Sequence, residues 1–548
     1  MSETQAPPAG SVPTRKDWLA LAVLSTGLGL IVLDGTIVGV ALPAIIEDLG
    51  LSLTDAQWVN SLYAVLLAAL LLSTGKLVDR WGRKRMFLFG LAVFVAGSLV
   101  AALSGAADTL VTARAVQAVG AAFIMPSTLS TVNAVFRGKY RAAAFGVWGA
   151  VISGAAAIGP LAGGALTQFA SWHWIFLVNI PLGIIVAVAA IMTVPETRGG
   201  KQARGADVDG ALLSAIGFGA LVFAVIEGPD LGWWKPKAEL SVFGLVWSKD
   251  STLSIVPVAL GIAAIALTLF VIWERHRAKV NRSAILDLTL FNFPTFTWGN
   301  TTAAMVAVGE FAIIFVLPLF LINALGLSVM GAGLVLAAMA LGAFLSGASA
   351  RHIAAKYGSP GTVLIGLGLE VIGVIALALL IRGTTAGWIV ALPLIVYGLG
   401  LGLASAQLTG TVLRDVPVEA SGQASATQST VRQIGSALGT AFSGTVLSVT
   451  LAINLPAALK AAGLTGPHAD QLAEQTRQSA GTTIMQLRMQ GAGSAMGKDT
   501  PAAIDALVNG FATSTRWALL TATVFLTLGF VGAVRLQRAA SRPPGQQQ

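Results

Sequence analysis

The sequence contains no cysteine, which excludes disulfide staples on outer loops and thiolate-based metal or redox chemistry. Its four histidines, His173, His276, His352 and His468, are scattered, and no two stand at ligand spacing, so no metal site is expected. No GxxxxGK[ST] occurs, which removes that type of ATP site. The run GLGLGLAS at 398–405 imitates a dinucleotide fingerprint, but no strand precedes it and it lies within an apolar span, so it reads as a packing surface. Charge is scarce as well: 11% of residues are charged, against about 25% in soluble domains.

What is present is apolar. Hydrophobic residues make up 55% of the 548, and the mean hydropathy is +0.79, the composition of an integral membrane protein. Apolar runs of about 20 residues recur, and a bilayer core of about 30 Å takes about 20 helical residues to cross. A barrel would need short alternating strands, which are absent. The fold class expected is therefore all-α integral membrane. Spans are placed near 18–42, 55–77, 86–106, 109–136, 142–169, 173–194, 210–228, 253–273, 296–322, 328–350, 360–381, 387–413, 421–452 and 513–535, which makes fourteen transmembrane helices.

The tail at 1–17 is polar and proline-bearing, with no apolar core leading to a cleavage site, so the first helix is expected to remain as an anchor. With that tail in the cytoplasm, alternate connections collect most of the 34 lysines and arginines, among them Arg15, Lys16, the five at 76–85 and the four at 275–282. The opposite short connections carry only Lys235, Lys237, Lys249 and Arg382. This is the positive-inside pattern, and it explains a pI near 10.0 without nucleic acid. Both termini, including the tail at 538–548, are thus expected in the cytoplasm, with the chain in the cell membrane. Two outer segments are longer: 229–252, whose Trp233, Trp234 and Trp247 suit a headgroup region, and 453–512, which reads as a loop of short amphipathic helices.

A charge near the centre of a spanning helix costs roughly 2.5–3.5 kcal/mol on insertion scales, so the few that occur point to a proton, ion or substrate pathway. Among the 25 acids only Asp34, Glu310 and Glu370 fall mid-span, and Arg114 is taken as the comparable cation. Counted from the outer helix ends at a 1.5 Å rise per residue, Asp34 and Arg114 lie within roughly 5 Å in depth and are expected to meet. Asn300, Ala303 and Ala307 share the face of Glu310, which suggests that it looks onto protein or a cavity. Apolar walls with aromatic residues, and two acids beside them, suit amphipathic or cationic small molecules. The expected substrate-binding set is Asp34, Glu310, Tyr63, Gln117, Trp148, Phe311, Phe315 and Gln407.

The connection after the second span, GKLVDRWGRKR at 75–85, resembles the signature loop of the major facilitator superfamily, with Gly75, Asp79, Arg80, Gly82 and Arg83 as its conformational latch. A weaker echo, GASARHIAAKYG at 347–358, lacks the acid and stands where an internal repeat would place it. LDGTIVGVALP at 33–43 resembles the signature of the fourteen-helix drug:proton antiporters, with Gly39 where Asn is common. RAVQAVG at 114–120 resembles that family's Arg-Gln-Gly motif, with Ala118 for the first glycine. Gly146, Gly159, Pro160, Gly163 and Gly164 resemble its antiporter motif, with Ala155 for one glycine, and WHWIFLVNIP follows with His173 where arginine is usual. Glycine rows let helices approach closely and proline bends a span at a fixed place.

The resemblance implies two six-helix bundles that rock about a central cavity, plus two inserted helices: 18–194, then the inserted pair at 195–285, then 286–537. It also implies proton-driven export, for which the mid-span charges Asp34, Glu310, Arg114 and Glu370 are taken as coupling residues, with Glu370 open between a structural and a functional role; small-molecule substrates, protons and membrane lipids are the expected partners. No cofactor beyond the proton gradient, no enzymatic activity, no nucleic acid and a monomeric state are expected. In this reading Asp79 meets the amino-terminal end of the thirteenth span, near Ser421 and Gly422, when the outer side is open. Asp79→Asn is therefore expected to slow transport by about tenfold, the loss of roughly one charge contact, at unchanged expression. Transport in vesicles against immunoblotted protein amount checks it.

Overall fold

The computed structural model describes residues 13–136, 139–198, 207–242, 245–280, 282, 284–417, 420–494 and 496–541. Helix α1 spans Arg15–Leu49, entered through a capping box of Thr14 and Asp17 and closed by Gly50 in the left-handed region. A second capping box, Ser52 with Asp55, starts α2, Leu53–Trp81. Gly82, at φ 110°, then turns the chain directly into α3, Arg83–Ala102. The Glu196 carboxylate accepts from the N–H groups of Lys84 and Arg85, supplying the cap that Gly82 lacks. Helices α4 (Ala107–Val135), α5 (Lys139–Phe169), α6 (Trp174–Leu177) and α7 (Asn179–Thr193) follow, the last two in series as one apolar stretch.

Next comes an antiparallel pair, α8 (Val208–Leu231) and α9 (Ile255–Lys279), joined through a two-stranded hairpin, β1 (Leu240–Val242) and β2 (Leu245–Trp247). Asp207 anchors the pair, accepting from Trp273 Nε1 at 2.8 Å and pairing with Arg277 at 3.3 Å. Beyond it lie α10 (Pro294–Leu319) with a π-helical turn Phe320–Ala324, α11 (Val329–Leu380), α12 (Gly387–Val412), α13 (Ser421–Ala461), α14 (Pro467–Gln478), α15 (Thr482–Gln490) and α16 (Thr500–Ala540). Helices α13 and α16 run well past their apolar stretches, so the connection read from sequence as 453–512 shortens to the segment holding α14 and α15.

Among the described residues, eleven helices are long and apolar enough to cross a membrane, or twelve if Leu53–Leu71 and Ser73–Trp81, bent by 53°, form one span. The fourteen spans expected from sequence are a finer division than this count. The 52-residue α11 counts once, although Gly358 (φ 74°, ψ 163°) breaks it into 329–357 and 359–380, and α5 contains side chains outside the described residues.

An internal repeat is written into the close helix crossings. In the first half Gly90 and Gly97 of α3 abut Gly120 and Gln117 of α4, and Gly120 in turn meets the Phe94 backbone. In the second half Gly366 and Gly373 of α11 abut Gly400 and Tyr397 of α12, and Gly400 meets Glu370. A Cβ at Gly120 or Gly400 would strike backbone, which is why both positions hold glycine. The positive-φ turns at Gly82 and Gly358 extend the correspondence to the loop and its echo.

At the end of the molecule remote from the chain termini, one apolar cluster joins the two halves: Ile37, Leu42 and Ile46 of α1 pack with Phe315 and Leu319 of α10, Leu451 of α13 and Phe511 of α16. Helices α14 and α15 lie over this seal. Arg477 bonds Ser448 at 2.8 Å and Asp230 at 3.2 Å and pairs with Glu474 at 2.7 Å, while Arg488 donates to the Ala324 carbonyl at 2.5 Å. The hydrogen bond from Arg477 holds the Glu474 carboxyl below its ordinary value. A depressed carboxyl contributes stability above its unfolded-state value and loses it as pH falls through the folded one. Proteolytic cleavage within α14 and α15 is accordingly expected to speed up as pH drops through the acidic carboxylate range. Arg477→Ala is expected to raise cleavage at neutral pH up to about fivefold, since a half-exposed pair contributes about 0–1 kcal/mol, and to flatten the pH profile; timed digestion followed by mass spectrometry reads both.

Candidate functional site

Five helices converge on Asp34. Helix α1 carries it fully buried at mid-span, α4 supplies Arg114 and Gln117, α3 supplies Ser98, α7 begins with Asn179, and α2 presents Tyr63 and the Val59 carbonyl. Arg114 forms an ion pair with Asp34 Oδ2 and donates to Gln117 Oε1 at 2.9 Å and, through Nε, to the Val59 carbonyl at 3.4 Å. Asp34 Oδ1 accepts from Gln117 Nε2 and Asn179 Nδ2, both at 3.0 Å. Ser98 Oγ accepts from the same two amides, at 2.8 and 3.3 Å, and donates to the Phe94 carbonyl at 2.9 Å. The Arg114 guanidinium also lies 4.2 Å from the centroid of the Tyr63 ring, a cation–π contact. Two buried atoms here, Asn179 Oδ1 and Tyr63 Oη, have no partner.

Removing two charges from water costs several kcal/mol each, and their attraction repays this only with good geometry and further hydrogen bonds. The amides of Gln117 and Asn179 provide those bonds. Protonating Asp34 would cancel one charge and leave Arg114 in want of a partner, so the arrangement has two internally consistent states, charged pair or separated pair.

A second pair joins α10 to α13: Arg432 Nη2 stands 3.3 Å from Glu310 Oε2, with Glu310 14% and Arg432 49% exposed. Arg432 corrects the sequence reading, in which Arg114 was the sole mid-span cation. It sits among Gln, Ser and Thr residues (SATQSTVRQ), within the span read as 421–452. Glu370 is fully buried, and neither of its carboxyl oxygens has a hydrogen-bond partner.

The remaining expected residues divide by environment. Tyr63 and Gln117 are buried in the Asp34 network and present no open wall, and Phe315 is a core residue of the seal. Phe311 and Gln407 are half-buried. The side chains of Trp148, Gly146, Ser421 and Gly422 lie outside the described residues. In the loop at 75–85, Asp79 pairs with Arg83 at 2.8 Å across Gly82, Gly75 lies near Pro126 and Arg80 is exposed. Lys76 donates to the Ala284 carbonyl at 2.5 Å, and Gln423 of α13 donates to the next carbonyl, Ile285, at 3.4 Å, so this short connection touches both halves. The glycine row of α5 has two neighbours: Gly164 and Pro160 abut Met330 and Gly333 of α11, whereas Gly159 and Gly163 lie against Thr36 and Ile37 of α1. Ser98, Asn179 and Arg432 are the site residues that sequence reasoning did not single out. Asn179 was within the quoted WHWIFLVNIP stretch.

Apolar helices in two repeated groups, sealed at one end and carrying a buried ion pair at mid-span, define a multi-pass membrane transporter. The chain belongs to the major facilitator superfamily, whose profile, described as Major Facilitator Superfamily, matches residues 24–440. It is 32% identical over 438 residues to the multidrug resistance protein Stp of Mycobacterium tuberculosis (strain CDC 1551 / Oshkosh), covering 79% of this chain and 77% of the relative. It is also 32% identical over 451 residues to the methylenomycin A resistance protein of Streptomyces coelicolor, covering 82% and 90%. In fold it resembles a crystal structure of a bacterial homolog of the human lysosomal transporter Spinster in an inward-facing, unoccupied conformation, with a TM-score of 0.62, 19% identity and coverage of 97% and 100%.

Removing one partner of a buried pair typically costs about 3–5 kcal/mol. Arg114→Ala is expected to destabilise by that order, and Asp34→Asn in the same chain to recover much of the loss. A thermal melt of the detergent-purified single and double variants measures the coupling.

Proposed function

We propose that this protein is a proton-coupled antiporter that exports amphipathic or cationic compounds across the cell membrane by alternating access. The observation that carries the reading is the buried Asp34–Arg114 pair with its amide supports: a carboxylate that can take a proton only by giving up its guanidinium. Asp34 is the main proton carrier, Arg114 biases it, and Glu310 with Arg432 forms a second charged site that attracts cations. The energy source is the proton gradient, with no cofactor. Fourteen helices are assigned, in bundles at 18–194 and 286–537 with the inserted pair at 195–285 between them, acting as a monomer with both termini in the cytoplasm. The break at Gly358 and the paired glycine crossings support that division, and the distribution of lysine and arginine supports the orientation. The seal then lies on the outer side, so the arrangement is the one that admits substrate from the cytoplasm. Relatives named for resistance support export, and the methylenomycin A relative favours a second reading, export of an antibiotic.

The test is transport in proteoliposomes with an imposed pH gradient, using ethidium, a neutral dye and a lipid analogue. Asp34→Asn is expected to abolish gradient-driven export of all of them. Glu310→Gln is expected to slow ethidium by about tenfold and the neutral dye much less, the loss of roughly one charge contact. Export by Asp34→Asn at the wild-type rate and pH dependence would remove Asp34 from the mechanism.

A further inference from the structure

Glu370 occupies an unusual place. It stands on the second part of α11, four residues after Gly366, at the crossing with Gly400 of α12. Its counterpart in the first half, four residues after Gly90 and against Gly120, is Phe94, a fully buried phenylalanine. A position that the repeat fills with a hydrocarbon ring thus holds a carboxyl group, sealed from solvent and with both oxygens unpartnered. Tyr397, the counterpart of Gln117, is equally buried on the facing helix, and its hydroxyl is unpartnered too. In the first half the equivalent crossing is knitted together by Gln117, Ser98 and Asn179; in the second half two polar side chains are left open.

An ionised carboxylate with no donor is the costly form in such a pocket, and the neutral acid is the form it can hold. The charged groups whose electrostatic fields reach Glu370 are Glu310 of α10 and Arg432 of α13. Arg432 is in an ion pair with Glu310 and half exposed, so it is the member of the group with room to move.

We propose that Glu370 is a second proton-carrying site, located in the C-terminal half and served by Tyr397, Glu310 and Arg432. The inference rests on the proton-coupled reading above and deepens it. With Arg432 on Glu310, Glu370 holds a proton, and the three groups together are neutral. When Arg432 turns to Glu370, one proton passes from the Glu370 carboxyl to the Glu310 carboxylate. The guanidinium keeps its charge throughout, and the sum is still zero. Glu310 then releases that proton to water on the side to which Arg432 is exposed, which leaves one net negative charge for a monovalent cationic substrate to neutralise. Together with Asp34, this sets two protons against one monovalent cation, an exchange that moves net charge across the membrane.

The experiment uses the full-length protein in proteoliposomes with ethidium as the monovalent probe, driven either by a pH gradient alone or by a potassium-diffusion potential alone. Wild type is expected to respond to both. Glu370→Gln is expected to retain transport under the pH gradient and to lose its response to potential, because one proton against one monovalent cation is electroneutral. A Glu370→Gln variant with wild-type potential dependence, or a wild type driven by the pH gradient but indifferent to potential, overturns the proposal. A wild type that answers to neither gradient overturns the proton-coupled reading itself, which separates the two failures. An independent measurement is the carbonyl-stretch band of protonated carboxyl groups in infrared spectra of the purified protein at neutral pH. That band is expected to lose intensity in Glu370→Gln and to be unchanged in Asp34→Asn; a band unchanged in Glu370→Gln also overturns the assignment.

Discussion

A guanidinium and a carboxylate held together in a medium that cannot solvate either is the constraint on which the first half of this molecule depends. Asp34 and Arg114 sit on different helices, so the pair has to be positioned by everything around it: Gln117 and Asn179 supply the remaining donors, and Ser98 fixes both amides. The network contains one acid, one base and otherwise neutral donors and acceptors, so its net charge is zero while intact. Any change at one member is therefore felt by α1, α2, α3, α4 and α7 together, the condition under which a single protonation can reorganise a bundle.

The second half keeps the architecture and changes its contents. Glycine at Gly90, Gly97 and Gly120 has its match at Gly366, Gly373 and Gly400, so the helix crossings repeat because backbone contact leaves no room for a side chain. The residues beside those glycines are free to differ. Gln117 becomes Tyr397, Phe94 becomes Glu370, and the buried ion pair at α1 gives way to a partly exposed pair between α10 and α13. Conserved geometry with exchanged chemistry lets one half hold a tight, neutral lock while the other offers a looser charged group.

Much of this was legible in the sequence, for identifiable reasons. In an apolar chain an acid at mid-span stands out, so Asp34, Glu310 and Glu370 could be named, and helix rise placed Arg114 at the depth of Asp34. The turn at Gly82 was readable because the loop carries charge and glycine in a recognisable order. Ser98 and Asn179 were not, since neutral polar residues are common in spans and acquire meaning only once helices are side by side. Arg432 was hidden by its polar neighbours. The glycine row of α5 reads in sequence as a groove for the tenth span alone, whereas only Gly164 meets it and Gly159 and Gly163 meet α1, because a helix face divided between α1 and α11 looks the same in sequence as one devoted to a single partner. Phe315 reads as a wall residue from its aromatic character, yet it is committed to the seal.

That seal is built from Ile37, Leu42, Ile46, Phe315, Leu319, Leu451 and Phe511, with hydrocarbon contacts joining the two halves. Opening it exposes apolar surface to water, and apolar hydration carries a positive heat capacity with almost no enthalpy near room temperature. The balance between sealed and opened forms is thereby tied to temperature: cooling weakens the attraction between the halves and favours the opened form, whereas moderate warming holds the seal shut. The balance between the two forms thus inherits a thermal bias from a handful of apolar side chains.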